Sequence, residues 1–354
     1  MRREAINSEY DVFIGIDVDK KSYALTIRDR NRLQESKKMP ARYEQLHRYM
    51  ENRFPGQRIL CAYEAGCTGF GLHDYLIQHR QPCVLLSPLS IPKAGNQRVK
   101  TNRIDSEKIA RMLKEDDYQP IRVPPGPYRD LRQLVQGREN YARGLRIAKQ
   151  RIKSLLLYNG LSQEDLEAEA HWSGRFIKHL QQLECAGVVR QRLDLLLEDL
   201  EYNKRQLLRI LKELKDFCDS QSDIRTNLKL LRTIPGIGFI TSTSLLGRIG
   251  DPQYLKDPRE LSAFVGVVPS EYSTGDHVYR GRITRLGNPT LRSLLVEASW
   301  VAIGKDSELK QFYDRIRGRH HALFASRKAI VAVARKMTHR IYRVLKDQRA
   351  YIVH

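Results

Sequence analysis

Val12-Phe13-Ile14-Gly15-Ile16-Asp17 is an unbroken apolar run that ends in a carboxylate. Continuous β-branched and aromatic residues predict a strand buried on both faces. An acid at the end of such a strand is held rigidly, and acids so placed often bind a divalent metal. The plainer reading is that Asp17 only turns or caps the chain. Arg58–Glu64 (Arg-Ile-Leu-Cys-Ala-Tyr-Glu) repeats the pattern, and Gly66, Gly69 and Gly71 follow it. Asn102 and Asp105 then lead into a helical pattern over Lys108–Leu113, and residues three apart on a helix share a face. An acid after a first strand, an acid after a later strand and a helix-borne acid, in this order, can together hold the divalent metal ions of a nuclease-type site. If the first strand runs on, Asp19 lies on the face of Asp17.

The surrounding pattern supports an α/β domain with a mixed sheet. Ser22–Arg28 alternates Tyr23, Leu25 and Ile27 on one face, and a hairpin through Asp19–Lys21 joins it to the first strand. Tyr43–Arg53 reads as a helix with Leu46, Tyr49 and Met50 inward. Leu72–His79 reads as a second helix and Pro82–Leu86 as a further short strand.

Charge narrows the function. The 354 residues carry 62 Lys and Arg against 41 Asp and Glu, a formal net charge of +21, which points to a polyanion and most directly to nucleic acid. With 41% hydrophobic residues the chain has enough apolar content for real cores. No apolar run reaches the roughly 18 residues of a membrane span. Met-Arg-Arg-Glu-Ala at the start has no apolar stretch, so no signal peptide and a cytoplasmic location are expected. Cys61, Cys67, Cys83, Cys185 and Cys218 form no CxxC pair and read as reduced thiols rather than a zinc site.

Pro120–Pro127 (Pro-Ile-Arg-Val-Pro-Pro-Gly-Pro) reads as a stiff linker. Two long helical patterns follow, Asp130–Tyr158 and about Gly187 to Phe217, the second with a leucine seam from Leu193 to Leu214. Together they predict an antiparallel coiled-coil hairpin. Short helices around Trp172, Phe176 and Ile177 lie between them. Ile234-Pro235-Gly236-Ile237-Gly238 between apolar helices is a helix–hairpin–helix signature, in which Gly236 and Gly238 bare backbone N–H groups toward a DNA phosphate. Further on, Ser270, Ser273 and Thr274 cluster in a glycine-flanked loop near Arg280, Arg282, Arg285 and Arg292. Such a loop is either an ordinary turn or one that presents a nucleophile to a phosphodiester, with guanidiniums to stabilise the charge that develops.

Gly15-Ile16-Asp17-Val18, Tyr63-Glu64-Ala65 and Arg98-Val99-Lys100-Thr101-Asn102-Arg103-Ile104-Asp105 resemble the DEDD transposases of insertion sequences, the one-ten class that includes the Piv-type DNA invertases. The segment from Ser262 through Arg280-Gly281-Arg282-Ile283-Thr284 to Lys336 resembles the C-terminal domain of the same family. The resemblance implies four parts: a RuvC-like (RNase H-fold) catalytic domain over 1–119, a linker over 120–128, a helical arm over 129–222 and a mostly α transposase domain over 223–354. It places Asp17, Glu64 and Asp105 on three of four catalytic acids that bind Mg²⁺. The fourth falls on Asn102, which offers a carbonyl oxygen but no charge. Asp19 is a candidate to supply the missing charge. The resemblance further implies a serine that links covalently to DNA in a composite site formed in trans. Here that is Ser273, with Thr274 and Ser270 as competitors. It also implies dimers that pair into a tetramer, DNA partners at element ends and target, and a structured bridge RNA. Two other classes fit the residues: a junction resolvase or nuclease that uses water, and a catalytically retired nucleic-acid-binding relative, which Asn102 favours.

Overall fold

The structure is a computed structural model that describes residues 9–30, 33–88, 102–161, 172–274, 277–284, 286–319 and 321–353. The chain divides into two compact units, Met1–Val123 and Pro124–His354.

The first unit is built on a six-stranded mixed sheet in the order β3-β2-β1-β4-β5-β6. Its strands are β1 (Val12–Val18), β2 (Ser22–Arg28), β3 (Leu33–Pro40), β4 (Ile59–Glu64), β5 (Cys83–Leu86) and β6 (Pro120–Ile121). β1 runs antiparallel to β2 and parallel to β4, and β4 runs parallel to β5. This mixed α/β unit is consistent with an RNase H-like domain. Helices α1 (Tyr43–Arg53) and α2 (Gly71–Gln78) cover one face, where Ile14, Ile16, Cys61 and Tyr63 pack with Leu46, Met50, Leu72 and Leu76. Helix α3 (Asn102–Glu115) covers the other, where Phe13, Leu60 and Ala62 pack with Ile109 and Leu113. Two faces therefore claim alternate residues of β1 and β4, which is why both strands read as continuous apolar runs.

The structure adds one strand and changes two expectations. Leu33–Pro40 is a strand although Leu-Gln-Glu-Ser-Lys-Lys-Met-Pro shows no apolar alternation; it lies at the sheet edge, where Lys37 and Lys38 oppose edge-to-edge pairing. Pro120 and Ile121, read from sequence as the start of the linker, pair antiparallel with β5. β1 ends at Val18, so Asp19 does not continue the strand; it sits exposed in the turn, its Oδ1 accepting a 2.7 Å hydrogen bond from Lys20 N.

The second unit is mostly helical. Its arm pairs α4 (Gly126–Tyr158) with α6 (Gly187–Ser220), α5 (Gly174–Gln182) closing one end. A β-carbon at Gly137 would meet Ile210, and one at Gly144 would meet Asn203, so the two helices run antiparallel. The added carbon at Gly144 would stand 2.8 Å from Asn203 Cγ, a side chain that can turn aside. Beyond the arm come α7 (Ser222–Leu231), α8 (Phe239–Ile249), a 3₁₀ turn at Pro252–Tyr254, α9 (Pro258–Val265) and the hairpin β7 (Pro269–Thr274) and β8 (His277–Ile283). Helices α10 (Pro289–Ala302), α11 (Ser307–Arg317) and α12 (Ala322–Asp347) complete the unit. One core built from Leu231, Leu245, Leu261, Leu291, Leu295, Val333 and Ile341 joins these helices. No helix among the described residues is long and apolar enough to cross a membrane. All five cysteines are free, with Cys61, Cys83 and Cys218 buried; burial pushes the Cys61 thiol up to about 12.

Candidate active site: a carboxylate face and a serine hairpin

The acids are placed by the sheet. In the parallel ladder Gly15 stands opposite Ala62 and Ile16 opposite Tyr63, so one residue further in the same register come Asp17 and Glu64. Side chains alternate along a strand, and Phe13, Leu60 and Ala62 face α3. Asp17 and Glu64 fall on that same α3 face, at the carboxyl ends of neighbouring strands. Glu64 is exposed and Asp17 half-buried.

Gly15 sets how α3 lies. A β-carbon there would overlap the Ser106 carbonyl oxygen and stand 2.5 Å from Ala110 N, so only glycine lets the helix backbone rest on β1. Ser106 Oγ and Thr26 Oγ1 share a buried 2.8 Å hydrogen bond, and Arg28 pairs with Glu107 at 2.8 Å. Ile109 and Leu113 pack farther back, against Phe13 and Leu60. The helix therefore starts at the Asp17 and Glu64 end, and its first turn carries Asn102 and Asp105 there. Asp105 Oδ1 lies 4.0 Å from Lys108 Nζ. The Asn102 side chain lies outside the described residues.

Asp17, Glu64 and Asp105 offer carboxylate oxygens, the donor type that a hard divalent cation takes, and their backbone positions lie at one end of one face. Among the described residues no three His, Cys, Asp or Glu side chains are grouped closely enough to hold an ion as they stand. Asp19 lies away from them. It borders a cavity with Tyr23, Tyr43 and Leu72, residues of the core beneath α1 and α2.

Ser273 lies in the second unit, on a strand rather than in the expected loop. β7 pairs antiparallel with β8, Ser273 opposite Val278 and Thr274 opposite His277. Gly275-Asp276 between two runs of β-forming residues is the signal that sequence reading passed over. The side chains of Ser273, Thr274 and Arg280 and the whole of Arg285 lie outside the described residues. Ser270 is turned toward Gly281, where a β-carbon would strike its Oγ. Arg282 is exposed on β8. Arg292 is half-buried, its Nη1 donating to Gly266 O at 3.3 Å, so it braces the end of α9.

The α7–α8 connection separates its two glycines by role. Gly236 has φ of +84°, and a β-carbon there would stand 2.9 Å from the Ala298 carbonyl carbon, so it is held by packing on α10. Gly238, just before α8, has open space around its α-carbon. Open backbone at a helix start is what an anion needs.

Comparison with known proteins is consistent along the chain. Residues 14–158 match a transposase family model of the DEDD IS110 type, and residues 228–314 match the model described as transposase IS116/IS110/IS902 family. A putative transposase from Sinorhizobium fredii is 27% identical over 302 residues, 84% of this chain and 73% of the relative. The transposase for insertion sequence element IS1533 of Leptospira borgpetersenii is 22% identical, over 82% of this chain and 84% of its own. The pilin gene-inverting protein of Moraxella bovis is 24% identical, over 79% and 77%. DEDD-type domains generally use divalent metal ions, in keeping with the oxygen donors on the α3 face. The chain belongs to the IS116/IS110/IS902 family of transposases, enzymes that cut and rejoin DNA.

Proposed function

We propose that this transposase joins itself to DNA through Ser273, with Asp17, Glu64 and Asp105 holding Mg²⁺ and Asn102 contributing a neutral oxygen. The observation that carries this reading is the parallel register that sets Asp17 beside Glu64 under the first turn of α3. Bound there, Mg²⁺ supplies charge stabilisation for the phosphoryl oxygens and lowers the pKa of the attacking hydroxyl. Ser273 Oγ forms a bond to phosphorus while one P–O ester bond breaks, and the serine proton passes, in net, to the departing strand oxygen. In the reverse step the hydroxyl of the exchanged strand attacks the phosphoserine and the proton returns to Ser273. Arg282 and Arg280 offset the extra negative charge on phosphorus. The Gly238 N–H contacts the DNA backbone without reading bases.

Family resemblance supports assembly of dimers into a tetramer, with acids and serine drawn from different protomers, and a bridge RNA that selects element ends and target. The net charge of +21 is in keeping with two nucleic-acid partners.

The test mixes protein, Mg²⁺, element-end DNA and RNA from the flanking noncoding region, then runs a denaturing gel. A protein–DNA adduct is expected, lost in Ser273→Ala and in Asp105→Ala. Strand cleavage without an adduct would replace Ser273 by water as nucleophile. No reaction until Asn102→Asp restores it would identify a catalytically retired relative.

A further inference from the structure

Helix α12 carries cations on two sides, and the fold treats them differently. On one side Arg340 pairs with Asp306 and with Glu308, each at 2.7 Å, and Lys336 stands 3.7 Å from Glu308. On the other side Arg335, His339 and Arg343 recur at four-residue spacing and so follow one another along one face. The start of α9 meets this face, and Arg259 and Asp257 act on His339 from there. Among the described residues Arg259, Arg335 and Arg343 make no ion pair. Asp257 is engaged as the cap of α9, its Oδ1 accepting from Arg259 N at 2.6 Å.

His339 lies between Arg335 and Arg343 along the helix, its Nε2 buried and with no hydrogen-bond partner. Burial, and the charges of Arg335, Arg259 and Arg343, hold its imidazole below the usual range, against the pull of Asp257. A buried nitrogen left without a partner is costly, and Asp257 offsets only part of the charge of three guanidiniums on this face. An oxyanion placed on this face removes both costs.

We propose that Arg259, Arg335, His339 and Arg343 form a phosphate-binding site for the backbone of duplex DNA. The choice of DNA rests on the reading of Ser273 given above, because α9 leads directly into β7. An eight-residue helix is about 12 Å long. The helix alone spans about three to four base pairs of duplex at 3.4 Å per step, and Gly266–Ser273 adds to the separation from the phosphodiester under attack.

The experiment measures binding of the full chain to a labelled duplex by fluorescence anisotropy, without Mg²⁺, over a range of salt. It needs no adduct, so it reads this site even if Ser273 is not the nucleophile. Arg335→Gln with Arg343→Gln is expected to lower the slope of log affinity against log salt by up to about 1.8, near 0.9 for each phosphate neutralised. His339→Phe keeps the ring and removes the nitrogen; it is expected to weaken binding several-fold. Lys336→Gln, on the paired side of the same helix, should leave the slope unchanged. A wild-type slope in the double variant would overturn the site, as would an equal loss in Lys336→Gln, which would mean diffuse charge. Loss of binding to the flanking-region RNA with duplex binding intact would overturn the assignment to DNA. If the double variant melts early, Arg259→Gln, exposed on α9, gives the same reading.

Discussion

Thr26 on β2 and Ser106 on α3 lie eighty residues apart and share a fully buried hydrogen bond of 2.8 Å between their hydroxyls. The bond ties the helix that carries Asp105 to the sheet that carries Asp17 and Glu64. Thr26→Val leaves Ser106 buried without this partner. It is expected to cost about 1–3 kcal/mol in denaturant unfolding of the sheet unit. Adding Ser106→Ala should recover part of that loss, since the hydroxyl that lost Thr26 goes with it. A pair of strictly additive losses would show that the bond has no such role.

Gly15→Ala drives a methyl group into the backbone of α3. Overpacking of this kind costs about 1–3 kcal/mol and sometimes more. Here the obstacle is main chain, which cannot rotate away. A lowered melting temperature and loss of strand cleavage are expected together. A variant with wild-type stability and activity would mean that α3 does not rest on β1 at this point.

Asn102→Asp adds a carboxylate to the first turn of α3, beside the Asp17 and Glu64 end of the sheet. A fourth carboxylate strengthens the hold on a divalent cation. The Mg²⁺ concentration that gives half-maximal adduct should fall several-fold, read from a titration on denaturing gels. An unchanged titration would place the side chain outside the metal set.

Asp306 is buried with Arg340 Nη1 at 2.7 Å and accepts 2.6 Å and 2.9 Å hydrogen bonds from Tyr351 Oη and Leu309 N. Burial pushes its pKa up, but these donors and the Arg340 charge outweigh it and hold the carboxyl below its usual value. A group with a depressed folded pKa stabilises above its unfolded value, near 3.9, and loses that contribution as pH falls through the folded one. Wild-type stability should therefore drop below about pH 4. Arg340→Ala leaves a buried charge without its ion-pair partner, at a cost of about 3–5 kcal/mol. It should also move the acid transition to higher pH. Thermal melts from pH 3 to 7 check both.

Much of the first unit was legible because its strands answer to two covered faces. Ser22–Arg28 and Tyr43–Arg53 form over the residues their periodicity marks. Leu33–Pro40 was not legible because its polar residues give no periodicity, and only its neighbour β2 makes it a strand. The hydroxyl cluster around Ser273 read as a loop because glycines flank it and its polar residues hide a two-stranded pairing. For the acids, sequence order alone brought Asp17, Glu64 and Asp105 under suspicion. What it could not supply was register: only the ladder shows that Ile16 stands opposite Tyr63, which puts the next residues, Asp17 and Glu64, on neighbouring strand ends. The closeness of α3 to β1 was also out of reach, because Gly15 reads in sequence as one small residue in an apolar run. Likewise Arg292 reads as a cation free to meet DNA, whereas a carbonyl holds it.

The parallel pairing of β1 with β4 has a consequence for how this enzyme tolerates change in length. Residues added between β1 and β4, around the turn after Phe54, alter a surface connection and leave both acids where they were. One residue added inside Ile59–Glu64 is different. It would slide the strand by a half-repeat and swing Glu64 through the sheet to the side of α1 and α2. Lineages of such transposases should therefore vary freely in the span between these strands, while the count of residues from Ile59 to Glu64 stays fixed.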